Sequence, residues 1–334
     1  MGKRLMRYVF ATCCLLAGSA QCQAGVVSFG SGANQFNMEF VTIGNPGNAA
    51  DTRSTSRPIS ATLGSVGYTY GIGKFEVSED MITKYNANFG TANGLVITKD
   101  TRDSNKPATS VSWNEAARFV NWLNTSTGGF AAYKYTTNGV NDDIALWTAS
   151  DTLDYDASNP YRSKRATYVL PSYNEWYKAA YHSPSGTYYD FANGSDTRPT
   201  AVTGGLSGAV YTQSGEASPT GPADIDQAGG LSPYGVMGLG GNVFEWEESS
   251  FNLSNNSGSS SRGIRGGDWL SVIPNVLSLS IRGNIGSSIE NDKFGFRVAS
   301  LSSSAPPAVP EPSMMVIGTL FGLGGLVAKR RMKK

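Results

Sequence analysis

The chain has 334 residues, 40% of them hydrophobic and 16% charged, so it can build a core but must cover it mainly with uncharged polar side chains. Its 40 glycines indicate a loop-rich fold and exclude a helix bundle. Without residues 1–24 and 311–334, 19 Lys and Arg stand against 25 Asp and Glu, a net charge of about −6, which excludes the basic surface that a nucleic-acid partner requires.

The first 24 residues predict a secretory signal peptide. Three basic residues stand within the first seven, an apolar run covers residues 8–18, and small residues follow. This order is typical of signal peptides, and cleavage after Ala24 is favoured over cleavage after Ala20. A buried N-terminal strand is the alternative, but the basic start fits it poorly. A lipid anchor at Cys22 is disfavoured by the residues that precede it.

The cysteines restrict the chemistry of the mature domain. Cys13, Cys14 and Cys22 all precede the favoured cleavage site. The mature domain therefore has no disulfide, no thiolate metal ligand and no cysteine nucleophile. His182 is the single histidine, which excludes a metal site of two histidines and a carboxylate. We interpret it as a capping or surface residue at the end of a helix.

The first half of the domain contains several predicted elements. Residues 25–40 alternate in a way that predicts a pair of strands, and residues 44–58 have the composition of a long loop. Residues 68–77 (YTYGIGKFEV) predict a half-buried strand, after which a helix begins at Ser78 and runs through Tyr85.

Two later helices have clear start signals. Ser112 with Glu115, and Ser172 with Glu175, match the capping box, in which hydroxyl and carboxylate satisfy the free amides of a helix N-terminus. Apolar residues at helical spacing follow both boxes: Ala116, Phe119, Val120 and Leu123 after the first, and Trp176, Ala179 and Ala180 after the second. We expect each helix to lay one apolar face on the core.

Residues 240–246 (GGNVFEW) form the most distinctive stretch. Two glycines permit a tight turn, and one carboxylate, Glu245, lies among apolar residues. A buried carboxylate needs a hydrogen-bonding partner or a metal, and the residues alone leave both open. We interpret Glu247 and Glu248, which follow, as a solvated rim. Residues 293–299 (KFGFRVA) predict the closing strand of a single α+β domain over residues 25–300.

The C-terminal residues predict a sorting segment. Residues 301–312 form a Ser/Pro linker with the motif VPEP, residues 313–328 an apolar transmembrane helix, and residues 329–334 a basic tail. The apolar run over residues 314–328 spans about 23 Å as a helix, less than a ~30 Å bilayer core. Either the basic tail snorkels to cover part of the gap, or the segment is recognised and then processed. The basic tail predicts a cytoplasmic C-terminus and an external domain.

Six motifs stand in an order that resembles the sulfatase-modifying-factor family, of the formylglycine-generating-enzyme type. They are YGIGKFEV (70–77), PATSVSWNEAARFVNWL (107–123), LPSYNEWYKAA (170–180), YGVMGLGGNVFEW (234–246), RGGDW (265–269) and FGFRVA (294–299). The resemblance covers residues 25–300. It implies a single, loop-rich α+β domain with a C-type-lectin-like fold.

The resemblance also implies a catalytic site from which this sequence departs. The oxidase activity of the family uses two copper-binding cysteines after the motif matched by RGGDW, and those positions are Ser271 and Val276 here. Neither is a soft copper ligand. No copper is therefore expected, and formylglycine generation is disfavoured.

A calcium loop is implied at the GGNVFEW stretch. The matching ligands are the carbonyls of Gly241 and Val243 and the carboxylate of Glu245, but the Asn or Asp that the family has three positions before Gly241 is Gly238 here. Calcium takes about six to eight oxygen ligands, so the missing side chain weakens the predicted site. The alternative is a structural Glu245 held by hydrogen bonds alone.

Other polar residues are weaker candidates. Asp151, Asp154 and Asp156 lack the glycine and closing glutamate of an EF-hand loop, and Asp224 and Asp226 precede a glycine pair that fits a second calcium turn. Five residues near the RGGDW motif either line a polar cleft or form buried ion pairs, and the second interpretation is favoured: Arg265, Asp268, Trp269, Arg282 and Arg297.

The C-terminal motif VPEP, with its apolar segment and basic tail, resembles the PEP-CTERM sorting signal. This implies export across the inner membrane of a Gram-negative bacterium, recognition by an exosortase, and a place at the cell surface or in an exopolysaccharide matrix. Together these features predict a non-catalytic module that binds a protein or polysaccharide. The alternatives are a divergent metal-dependent enzyme of the formylglycine-generating and nonheme-metal oxidoreductase superfamily, and a matrix component without a discrete ligand.

Overall fold

The computed structural model describes residues 25–53 and 63–301. The segments predicted over residues 1–24 and 302–334, which include the signal peptide, the VPEP motif, the transmembrane helix and the basic tail, lie outside this range. Within the described residues, no helix combines the length and apolarity that a membrane crossing requires.

Short elements joined by long loops make up the domain. The α-helices are α1 (Glu79–Tyr85), α2 (Thr91–Asn93), α3 (Trp113–Ser126) and α4 (Tyr173–Tyr181). The strands are β1 (Gly25–Phe29), β2 (Phe36–Ile43), β3 (Tyr70–Gly73), β4 (Tyr168–Val169), β5 (Ala201–Val202), β6 (Ala209–Val210), β7 (Phe244–Ser250), β8 (Arg262–Arg265), β9 (Gly283–Ile285), β10 (Phe294–Gly295) and β11 (Ala299–Ser300). The mixture of helices and short strands confirms the α+β prediction.

The capping boxes at the starts of α3 and α4 are both formed. The Ser112 hydroxyl accepts the Glu115 amide at 3.1 Å, and the Glu115 carboxylate accepts the Ser112 amide at 2.9 Å. Ser172 and Glu175 exchange the same two bonds in α4. The sequence prediction for both helix starts is therefore confirmed.

A five-stranded antiparallel sheet, in the order β1-β2-β3-β11-β4, forms the centre of the domain. Alternate residues of β2 face two different clusters. Met38 and Phe40 pack in the cluster that contains residues of α1 and α3, whereas Val41 and Ile43 pack in the cluster that contains residues of α4. The sheet therefore lies between helices on both faces.

The prediction of one closing strand over residues 293–299 is wrong. The segment splits into β10, which pairs in parallel with β7, and β11, which enters the central sheet between β3 and β4. The second sheet has the order β10-β7-β8-β9. The split occurs because the two ends of the segment pair with different sheets.

Candidate functional site

The two positions expected to carry the catalytic cysteines of the family lie in a loop after β8. The Ser271 hydroxyl donates to the Asp268 carboxylate and accepts the Asp268 amide, each at 3.0 Å. Val276 packs against an apolar cluster that contains Leu277 and Tyr211. A hydrogen-bonded hydroxyl and a packed isopropyl group do not fit a copper ion, which prefers thiolate ligands in such a site.

An open groove lies beside this loop. It has a volume of about 620 Å³ and is lined by residues 212–218 and by Val272. Leu270, Val272 and Ile273 are 47%, 64% and 59% exposed, so three apolar side chains face solvent within four positions. Contiguous exposed apolar side chains mark interaction surfaces more often than isolated ones do.

Glu245 has a different partner from the one that the calcium prediction requires. Both of its oxygens bind Arg297, at 2.6 and 2.5 Å, and one also accepts the Trp176 indole N–H at 2.7 Å. Burial favours the neutral form of the Arg297 guanidinium, but Glu245 outweighs it and raises the pKa of Arg297. The carboxylate thus faces a protein cation, and it does not fit the role of a calcium ligand.

The turn before Glu245 is built by close backbone approach. Gly241 has a φ of +89°, and a Cβ there would lie 2.4 Å from the Val210 carbonyl oxygen. Only glycine fits such a position. Val243 is buried against Trp269, so the GGNVFEW and RGGDW motifs meet in one small cluster. In the described residues, no group of three or more His, Cys, Asp or Glu could hold a metal.

The five candidate cleft residues do not line one cleft. Arg265 and Arg282 both bind Glu247, at 2.7 and 2.6 Å, while Arg297 binds Glu245. All three arginines are buried. Asp268 faces Ser271, and Trp269 packs below the GGNVFEW turn. The interpretation as buried ion pairs therefore holds for the arginines.

Glu247 and Glu248 are fully buried, so their interpretation as a solvated rim is wrong. The Glu248 carboxylate accepts hydrogen bonds from the Tyr133 hydroxyl at 3.0 Å and from the side-chain amide of Asn159 at 2.6 Å. The Arg162 guanidinium lies 3.6 Å from the same carboxylate. Both faces of β7 are covered, so its charged side chains point into protein on either side. The arginines that pair with them, Arg162, Arg265 and Arg282, lie 18 to 86 positions away in the sequence, so no local pattern indicated this burial.

Glu76 is a buried carboxylate that no pattern in the sequence had indicated as a site residue. One oxygen accepts a hydrogen bond from the side-chain amide of Asn242 at 2.9 Å, and the other has no hydrogen-bond partner. A Cβ at Gly238 would lie 2.6 Å from this carboxylate, so Glu76 fills the space beside the glycine. Burial raises the pKa of Glu76 to about 7, although Arg297 opposes the shift.

The remaining candidates have structural partners. His182 is the C-cap of α4, as predicted, but it is buried and its ring bonds the Tyr234 hydroxyl at 2.9 Å. Burial lowers the pKa of His182 to about 4. The acidic clusters pair with nearby cations or amides: Asp151 with Lys134, Asp154 with Arg165, Asp224 with Lys106, and Asp226 with Asn105.

Comparison with known proteins shows the family of the chain. The family model described as the sulfatase-modifying factor enzyme 1-like domain matches residues 25–301. None of the curated proteins matches the chain.

Solved structures resemble the fold. CarF is 17% identical with a TM-score of 0.58, and the match covers 79% of this chain and 98% of CarF. Treponema denticola variable protein 1 is 21% identical with a TM-score of 0.55, and the match covers 82% of this chain and 98% of that protein. At these identities the likeness concerns the fold alone.

Proposed function

The chain belongs to the family of sulfatase-modifying factor enzyme 1-like domains, and from this premise we propose that it is a non-catalytic binding module of the bacterial cell surface or exopolysaccharide matrix. Its ligand is a protein or a polysaccharide, bound at the groove of residues 212–218 and Val272. Scaffolds of one fold support unrelated functions, so the proposal rests on the site and not on the fold.

The observation that carries the proposal is the chemistry at Ser271 and Val276. Ser271 is bound to Asp268, and Val276 packs against apolar side chains. Neither supplies the nucleophilic or metal-binding thiolate of the expected oxidase. The groove and its exposed apolar rim are what this surface offers instead.

Binding by the full chain tests the proposal. The probes are an array of bacterial polysaccharide fragments and purified outer-surface proteins of the source cell. Val272→Lys places a charge at the rim of the groove, and Leu153→Lys is the matched control, because both side chains are 64% exposed. We expect Val272→Lys to weaken binding at least tenfold and Leu153→Lys to leave it unchanged. Equal binding by both variants, or no ligand among the probes, would contradict the proposal.

Export and sorting are part of the same proposal. The basic start of residues 1–24 and the VPEP motif with its apolar segment support them. An exosortase-type enzyme would act on the C-terminal segment, which would first anchor the chain in the membrane. Mass spectrometry of surface-released protein should show an N-terminus at Gly25. Intact protein confined to the cytoplasm would refute this part.

The second candidate is a divergent metal-dependent enzyme. The observation that favours it is the Asp268 carboxylate, which burial gives a raised pKa and which binds the Ser271 hydroxyl beside the groove. Metal analysis of the purified full chain decides between the two. A redox metal at one equivalent, lost in Asp268→Asn, supports the enzyme, whereas its absence supports the binding module.

A further inference from the structure

A second groove, of about 720 Å³, opens between β2 and the segment that joins β3 to α1. Its apolar lining residues are Val26, Phe36, Met38, Phe75, Met81 and Ile225. It shares no lining residue with the groove beside Val272. The inference drawn from it is therefore independent of the proposed function.

The groove exists because two neighbouring strands part. The pairing of β2 with β3 includes Phe40 opposite Gly73, and the Lys74 amide still donates to the Glu39 carbonyl at 2.8 Å. The chain then turns away, since the Val77 amide donates to the Phe296 carbonyl instead. The N-terminal part of β2, from Phe36 to Glu39, pairs with β1 and not with β3. Among the residues that the structure describes, residues 36–38 of β2 thus have a strand neighbour on one side only.

The free side of β2 presents backbone groups to the gap. In a strand, the N–H and C=O of one residue point to the same side, and the next residue points to the other. Because the Glu39 carbonyl points towards the β3 side, the backbone of Asn37, two residues earlier, points the same way. β3 has no residue opposite Asn37. One position of a hydrogen-bonding ladder is therefore open inside the groove.

The side chains that line the gap are apolar, uncharged polar, or charged and paired, except for Glu76, whose buried carboxylate has one oxygen without a hydrogen-bond partner. Lys74 pairs with Glu39 at 2.9 Å, and Lys84 with Asp80 at 2.7 Å, so the charges at the rim cancel. Phe75 and Met81 are half-buried and offer apolar contact. Apart from Glu76, this lining offers no unpaired charge to a charged ligand. It suits a neutral backbone that carries apolar side chains.

We propose that this groove binds an extended, uncharged segment of a partner protein, which adds as a strand to β2. Its backbone would bond the N–H and C=O of Asn37, and an alternate apolar side chain would lie against Phe75 and Met81. Strand addition of this kind takes affinity from main-chain bonds and specificity from side-chain pockets. The volume is within the range of ligand sites, ~300–1,000 Å³.

The probe that tests the inference is a displayed library of random linear heptapeptides, selected on the full chain. Ser104→Trp fills the groove from an exposed lining position, and Thr101→Trp, exposed in the same loop but outside the lining, is the control. We expect the enriched peptides to alternate apolar residues and to bind Ser104→Trp at least tenfold more weakly than Thr101→Trp. N-methylation of alternate peptide amides should weaken binding to the wild-type chain by a similar factor, which separates strand addition from misfolding of the variant.

Three results would overturn the inference. One is that no peptide is enriched. Another is that Ser104→Trp binds as well as Thr101→Trp, or that N-methylation has no effect. The third is slow hydrogen exchange of the Asn37 amide without peptide, because a second copy or another part of this chain would then already occupy the gap.

Discussion

Buried charge is concentrated on β7. Glu245, Glu247 and Glu248 are all removed from solvent, and each has at least one arginine within 4 Å. Removing a carboxylate from water is costly unless a cation and hydrogen bonds replace the lost hydration. Because adjacent residues of a strand point to opposite faces, these charges bind arginines on both sides of β7. The ion pairs connect β7 to Arg162, Arg265, Arg282 and Arg297, which come from other segments of the chain.

Glu76 is a further buried carboxylate, with a pH dependence that can be measured. Its pKa is raised from the ordinary value of 4.5 to about 7, chiefly by burial. The folded state therefore binds the proton more tightly than the unfolded state does. Below pH 4.5, the pKa of this group in the unfolded chain, Glu76 is protonated in both states and does not lower the free energy of unfolding. As pH rises from there through 7, the free energy of unfolding falls, because the folded state must keep or lose a proton that the unfolded state has already released.

We expect Glu76→Gln to gain stability relative to the wild type by about 2.5 kcal/mol between pH 5 and pH 8, at ~1.4 kcal/mol per pKa unit. The measurement is the free energy of unfolding in urea at both pH values. The control is Glu290→Gln, at an exposed surface position, which should follow the wild type at both. A difference between Glu76→Gln and wild type that does not change with pH would contradict the assignment.

For single residues, the sequence predicted that a buried carboxylate needs a partner, but it did not predict which residue that partner is. The need of Glu245 for a partner followed from its apolar neighbours, but Arg297 as that partner lies 52 positions away and could not be selected. Two consecutive glutamates after an apolar strand are usually solvated. Nothing local to Glu247 and Glu248 indicated that protein covers both faces of β7.

The elements with local start signals are the ones that the sequence predicted well. Ser172 and Glu175 satisfy amides that a helix N-terminus leaves free, and the information lies within four residues. Two-residue strands such as β10 and β11 have no local signal, since the sheet that each one joins is set by distant partners.

Ser172→Ala should destabilise the domain by about 1 kcal/mol, because the Glu175 amide loses its cap. Ser172→Thr should retain most of the stability, since threonine also caps. The midpoint of urea unfolding reports both effects. Ser259→Ala, in an exposed loop, is the control and should stay within a few tenths of a kcal/mol of the wild type. A loss shared equally by all three variants would show that the cap is not the cause.

The whole domain does not depend on calcium if Arg297 supplies the positive charge for Glu245. A ligand that binds only the folded state raises Tm, and its removal lowers Tm. We therefore expect EDTA to change Tm by less than about 1 °C. Thermal unfolding with and without EDTA measures this, and Mg²⁺ added back in place of Ca²⁺ is the control for ionic strength. A fall of several degrees that Ca²⁺ alone reverses would show that calcium binds.

The place of β11 determines when the domain can fold during synthesis. This strand, Ala299–Ser300, lies between β3 and β4 in the central sheet although it is the last element of the domain. A nascent chain that ends before it exposes two unpaired strand edges in the middle of its core, a state that aggregates readily. The ribosome must therefore deliver almost the whole domain before the sheet can close. We therefore expect translation that stops before Phe294 to yield an unfolded chain, not a smaller domain.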